Sequence, residues 1–176
     1  MKPWAFAMLR GAVLLLAILV FAWVSPSLID PATLVDRMLA ETHRTPPEQM
    51  QEYAQDIIWL ARLALVTTGG VAGAGFIVWG LIALLRRPSG PGQATTAASR
   101  LAWVVSLVAV TVGAYVASQG ALHSEPGLVD PAFAERFALA AAGAVAMLHW
   151  LVCLPGTERA LRPAVPLGAL LVWVRR

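Results

Sequence analysis

Residues 63–85 read LALVTTGGVAGAGFIVWGLIALL, 23 positions without a charged side chain. A helix of that length reaches about 34 Å, enough to cross a hydrocarbon layer of about 30 Å. Three further apolar runs of comparable length lie at 4–24, 101–122 and 137–154. Lipid offers the backbone no hydrogen bonds, so separate runs of this length must satisfy their own amides as helices. The expectation is an all-α integral membrane protein. Its four transmembrane helices form two hairpins, and the second helix extends beyond the membrane on the extracytoplasmic side.

Composition agrees with this class. The chain of 176 residues is 59% hydrophobic and 13% charged, well outside the balance of a soluble domain. The formal charge of +3 and the pI of about 9.8 do not argue for nucleic acid. The basic residues flank apolar runs instead of collecting on one soluble face. Cys153 is the single cysteine, so no disulfide or CxxC pair forms within the chain. It reads as a small apolar residue at a helix end. Lys2 and Arg10 precede an apolar stretch as in a signal peptide, but residues 22–26 (AWVSP) make a poor cleavage site. An uncleaved first helix is expected.

Lys and Arg concentrate on the cytoplasmic flanks of membrane helices. With the amino terminus inside, Lys2, Arg10, Arg86, Arg87, Arg100, Arg159, Arg162, Arg175 and Arg176 face the cytoplasm. Arg37, Arg44, Arg62 and Arg136 face out. This asymmetry predicts a multi-pass protein of a bacterial-type inner (plasma) membrane, with both termini cytoplasmic.

The chain forms a single membrane domain. Helix one covers about 4–25. An outer segment follows over 26–55, with a short helix at 31–43. Helix two covers about 46–86, an inner linker 87–100, helix three about 101–123, helix four about 131–155 and an inner tail 156–176. The linker is rich in Gly, Pro, Ser and Thr, which suits a flexible connection. The tail includes an apolar run at 164–174, too short to span and expected at the inner interface. Leu34, Val35, Met38 and Leu39 recur at helical spacing, which predicts a short amphipathic helix on the outer membrane surface. Thr45 and Glu48 form a capping-box pattern that starts helix two. Its first half then projects outside and exposes Glu48, Gln51, Glu52, Gln55 and Asp56 as a polar face for docking a partner.

Leu28-Ile29-Asp30-Pro31-Ala32 is echoed by Leu128-Val129-Asp130-Pro131-Ala132. The preferred reading is a repeated helix start: Asp caps free amides, and Pro occupies a position whose missing N–H costs nothing. Hairpin duplication, or a duplicated binding motif, is the alternative.

Small residues crowd two of the helices. Gly69, Gly70, Gly73, Ala74 and Gly80 lie in helix two, and Ala138, Ala142 and Ala146 form a row in helix four. Without a hydrophobic drive between helices in lipid, such rows permit close backbone approach. The expected contact is helix two against helix four. Helix three carries a polar row, Thr111, Tyr115, Gln119 and His123, on one face. It forms interhelical hydrogen bonds or, alternatively, a substrate or proton path. Arg62 is expected to snorkel outward.

The histidines do not converge. His43 falls in the outer segment, His123 at the outer end of helix three and His149 near the inner end of helix four. Surface or interfacial placement is expected for each. No metal site, cofactor or catalytic residue is predicted, because HExxH, nucleophile-elbow and paired-carboxylate patterns are missing. The functional expectation is a non-catalytic small membrane subunit that packs within or scaffolds a larger complex. Its partners are other membrane subunits and the lipid bilayer. The alternative is a small oligomeric transporter or channel component using the polar row.

Overall fold

A computed structural model of the chain describes residues 3–25, 30–39, 47–85, 97–125 and 127–156. Among these, all the named elements are helices: α1 (Pro3–Val24), α2 (Pro31–Met38), α3 (Pro47–Leu85), α4 (Ala97–Leu122) and α5 (Pro131–Gly156). Three segments are long and apolar enough to cross a membrane: Tyr53–Ala83, Ala98–Leu122 and Pro131–Cys153. The protein is therefore helical and membrane-like in character. The expected linker up to residue 96, the tail beyond 156, residues 40–46 with His43 and Thr45, and the side chains of Glu48, Gln51 and Glu52 lie outside what is described.

Both copies of the Asp-Pro echo start helices. Asp30 is the N-cap of α2: its carboxylate accepts from the Thr33 N–H at 3.3 Å and from the Thr33 hydroxyl at 3.2 Å. Asp130 does the same for α5, accepting from the Ala132 N–H at 3.0 Å. The first copy opens an eight-residue helix and the second a 26-residue one, so the shared motif marks a helix start in both places. The second copy is also tied to the end of α2. Leu39 pairs with Val129 in an isolated antiparallel bridge, and the Asp130 N–H donates to the Met38 carbonyl at 2.8 Å. Gly127, at φ 80°, makes the turn that brings α5 back from α4.

α2 is shorter than expected, ending at Met38 with an extended Leu39. It also faces protein and not the membrane surface. Val35, Met38 and Leu39 are buried in a cluster with Ile57, Leu60, Ala61 and Ala64 of α3, Ala121 and Leu122 of α4, and Leu128, Val129 and Ala134. The reason is that the first turns of α3 are not a bare projection. Ile57, Leu60, Ala61 and Ala64 form a helical apolar stripe, and α2 covers it. This cluster closes one end of the bundle, called here the cap end.

Two more clusters follow along the bundle. Ala72, Val110, Ala114 and Val145 fill the middle, with Leu15 and Val71 against them. Trp79, Trp103 and Cys153 fill the far end. α4 turns Leu101, Val105, Val108, Val112 and Val116 outward, the apolar surface expected of a helix whose solvent is lipid.

α3 meets α5, as expected of helix two and helix four, but the gaps at two of its glycines are filled by α1. A Cβ on Gly69 would stand 2.5 Å from Leu19, and one on Gly73 would stand 3.1 Å from Leu15. These two gaps, four residues apart, receive two leucines of α1, also four apart. α1 thus runs antiparallel to α3, seated against both α3 and α5. Gly75 instead receives Val110 of α4, and Gly113 of α4 receives Val71 of α3. This reciprocal exchange explains why α3 and α4 pack so closely.

Candidate functional site

His149 lies inside the far end of the bundle, 2% exposed. This corrects its expected interfacial placement. One turn of α5 carries His149 and Cys153 to the same face, where α4 presents Trp103 and Ser106. The imidazole Nε2 is 3.3 Å from the Ser106 hydroxyl and 3.6 Å from the Cys153 sulfur. The Trp103 ring lies 6.2 Å away, centroid to centroid, tilted by 29°. Ser106 and Cys153 are themselves buried. On the α3 side the ring faces Gly75, where a Cβ would come within 3.6 Å of Nδ1.

Nδ1 is buried and has no hydrogen-bond partner among the described residues. The tautomer does not relieve this. If Nε2 accepts from Ser106, Nδ1 carries a proton with no acceptor; if Nε2 donates, Nδ1 is an acceptor with no donor. Leaving such a group unsatisfied costs about 1–3 kcal/mol. The Ser–His contact has the form of an activated nucleophile, but a base of that kind is oriented by a third group on its other nitrogen. None is present at Nδ1. Among the described residues no three His, Cys, Asp or Glu side chains converge to hold a metal ion.

His149 also lines a cavity of about 300 Å³ enclosed by α1, α3 and α5. The walls are apolar apart from His149 and Thr68, and the Thr68 hydroxyl is already donated to the Ala64 carbonyl at 2.6 Å.

The predicted polar row does not meet this site. Thr111, Tyr115 and Gln119 are half-buried and His123 is exposed. The Thr111 hydroxyl donates to its own helix at the Leu107 carbonyl (2.8 Å), and His123 Nδ1 lies 2.9 Å from the Gln119 carbonyl. None of the four lines the cavity. Of the predicted packing residues, Gly69, Gly73, Gly80, Ala138 and Ala142 are buried, Ala146 is half-buried, and Gly70 and Ala74 are exposed. Of the predicted docking residues, Gln55 and Asp56 are exposed. The Arg62 guanidinium lies over the Trp23 ring at 5.5 Å, joining α3 to α1 by a cation–π contact.

Sequence reasoning placed His149 at an interface and passed over Ser106. The available signal was a Ser and a Trp three apart in α4, and a His and a Cys four apart in α5. Each pair shares a helix face near the same end of the bundle. Comparison with known proteins finds no matching family model, no matching curated protein and no matching solved structure.

Proposed function

We propose that this chain is a non-catalytic subunit of a larger assembly in a bacterial-type inner membrane, packing within or scaffolding its partners. The observation that supports it is the unequal use of small residues on α3. Gly69 and Gly73 are filled by α1, whereas a Cβ on Gly70 would meet nothing within 4 Å and Ala74 is exposed. A small-xxx-small row left open toward lipid suits the close approach of a helix from another subunit. Gln55 and Asp56, exposed above it on the same helix, extend the contact outside the bilayer.

In this reading α1 is a fourth crossing, its 22 residues reaching about 33 Å. The chain then makes two hairpins, with both termini in the cytoplasm. Transport through the α4 polar row draws no support, since Thr111 and His123 are bonded back to their own helix. The experiment is extraction of the tagged full chain in mild detergent, with Gly70→Leu beside it. Space around Gly70 leaves the fold intact in the variant. A partner that co-purifies with the parent and is lost from the variant supports the reading. A monodisperse monomer in both rejects it. A reporter fused after Arg176 that is active outside the cytoplasm rejects the topology.

A further inference from the structure

The cavity between α1, α3 and α5 reaches from exposed side chains to buried ones. Ala140 and Ala144 of α5 line it and are exposed, while Ala72 of α3 and Val145 of α5 line it and are buried. It therefore opens sideways, where small side chains leave α5 thin, and runs inward to the middle of the bundle. Its mouth is set at mid-depth. Ala140 lies about 14 Å along the helix from Pro131, and Ala144 about 14 Å from Cys153, the two ends of the apolar crossing. The volume of about 300 Å³, at the small end of ligand sites, is drawn out along the roughly 16 Å of α3 from Leu65 to Phe76. The space is slender and not round.

The walls offer no hydrogen bond. Among the described lining residues none is charged, and Thr68 and His149 are the polar ones. The Thr68 hydroxyl is donated to the Ala64 carbonyl. The His149 ring nitrogens lie against Ser106, Cys153 and Gly75, none of which lines the cavity. Water needs polar partners to stay in such a space, so it does not fill this one. Left empty, the space would weigh against the fold in proportion to its volume. Hydrocarbon is the filler that remains.

We propose that this cavity is a binding site for one acyl chain of a bilayer lipid, which enters methyl end first past Ala140 and Ala144. It is a chain end because a head group is not carried to the middle of the hydrocarbon layer, where the mouth lies. It is a chain and not a ring system because the space is long and thin. The inference requires the protein to lie in a bilayer; it does not require it to be a subunit of anything.

The test uses the full chain in phosphatidylcholine nanodiscs doped with phosphatidylcholine that bears a diazirine at the methyl end of one chain. A second preparation bears the diazirine beside the ester carbonyl. After irradiation, labelled residues are mapped by mass spectrometry. Ala72, Val110, Ala114 and Val145 belong to one buried cluster, but only Ala72 and Val145 line the cavity. The methyl-end probe should label Ala72 and Val145 well above Val110 and Ala114, and the ester-end probe should not. Ala144→Leu, which fills the mouth from an exposed position, should remove that labelling and leave the exposed Val112 and Val116 of α4 labelled as before. Ala140→Leu should act in the same way, which guards against a folding defect in either variant. Equal labelling of the four cluster residues overturns the proposal. So does labelling of Ala72 and Val145 that survives both variants, or an ester-end probe that reaches them as well as the methyl-end one.

Discussion

At the cap end the starts of α2 and α5 carry their own acceptors, Asp30 and Asp130, and the space between is filled by side chains such as Leu39 and Leu60 that are fully buried. At the far end, aromatic rings enclose an imidazole with one nitrogen left over. The cap end contains irregular backbone, the Leu39–Val129 bridge and the Gly127 turn. Such backbone is not left bare in hydrocarbon; in the proposed topology this end meets water and is held by apolar burial in the ordinary sense. The far end lies within apolar helices, where lipid is as greasy as leucine and only packing and hydrogen bonds discriminate. One end is built for stability. The other retains a polar group that stability alone would have removed.

The sharpest way to break this comparison is to truncate buried apolar side chains at different depths, allowing for the carbons each loses. Leu39→Ala removes a fully buried side chain from the water-facing cap, and should cost about 2–5 kcal/mol. Val145→Ala, buried in the middle cluster, loses packing but little transfer energy, and should cost distinctly less. Reversible unfolding in mixed micelles, followed by circular dichroism, measures both. Equal losses per carbon removed would mean that the cap end and the middle of the bundle share one solvent.

The far end responds next. Ser106→Ala strips the hydroxyl from Nε2 of a histidine already short of a partner, and should destabilise by about 1–3 kcal/mol. The double change Ser106→Ala with His149→Leu removes both polar groups and should fall close to the parent, because replacing both partners with apolar groups is nearly neutral. A double variant less stable than Ser106→Ala would mean that the imidazole is a structural member of the bundle. Of intermediate size is Asp130→Ala. It unpicks the α5 cap and should cost about 0.5–2 kcal/mol, with Asp30→Ala at the lower part of that range because α2 is only eight residues long.

Legibility divides along the same line. Apolar runs and Asp-Pro caps are local signals: the runs are visible in the sequence where long apolar helices stand, and the Asp-Pro pairs stand at the starts of α2 and α5. The course of α2 was readable as an amphipathic helix, but its partner was not: Val35 and Met38 fit a lipid surface as well as they fit the stripe at Ile57 and Leu60. Periodicity cannot choose between two apolar neighbours. The glycines of α3 were ambiguous for a related reason. A GxxxG row announces that something approaches, yet α1 and α5 both offered suitable faces, and it was Leu15 and Leu19 that filled the gaps. His149 was misplaced because its position in sequence, near a helix end beside Trp150, suggests an interface. Its burial depends on the missing side chain at Gly75 and on the Trp103 and Ser106 of another helix, which no reading of α5 alone supplies.

The smallest expected effect, that of Gly70→Ala, lies on α3, where adjacent glycines separate the filled face from the open one. Gly75→Ala drives a Cβ into Val110, a β-branched side chain that is itself buried and has few rotamers to escape into; overpacking of this kind costs about 1–3 kcal/mol. Gly69→Ala meets the flexible end of Leu19 and should cost less, since a leucine tip can turn aside. Gly70→Ala meets nothing and should stay within about 0.5 kcal/mol of the parent, as changes away from packed features do. The order Gly75, Gly69, Gly70 is therefore a measurement of which faces of α3 are occupied by this chain. If Gly70→Ala is also costly in the isolated protein, that face is already filled by a second copy, and the vacancy assigned to a partner subunit disappears.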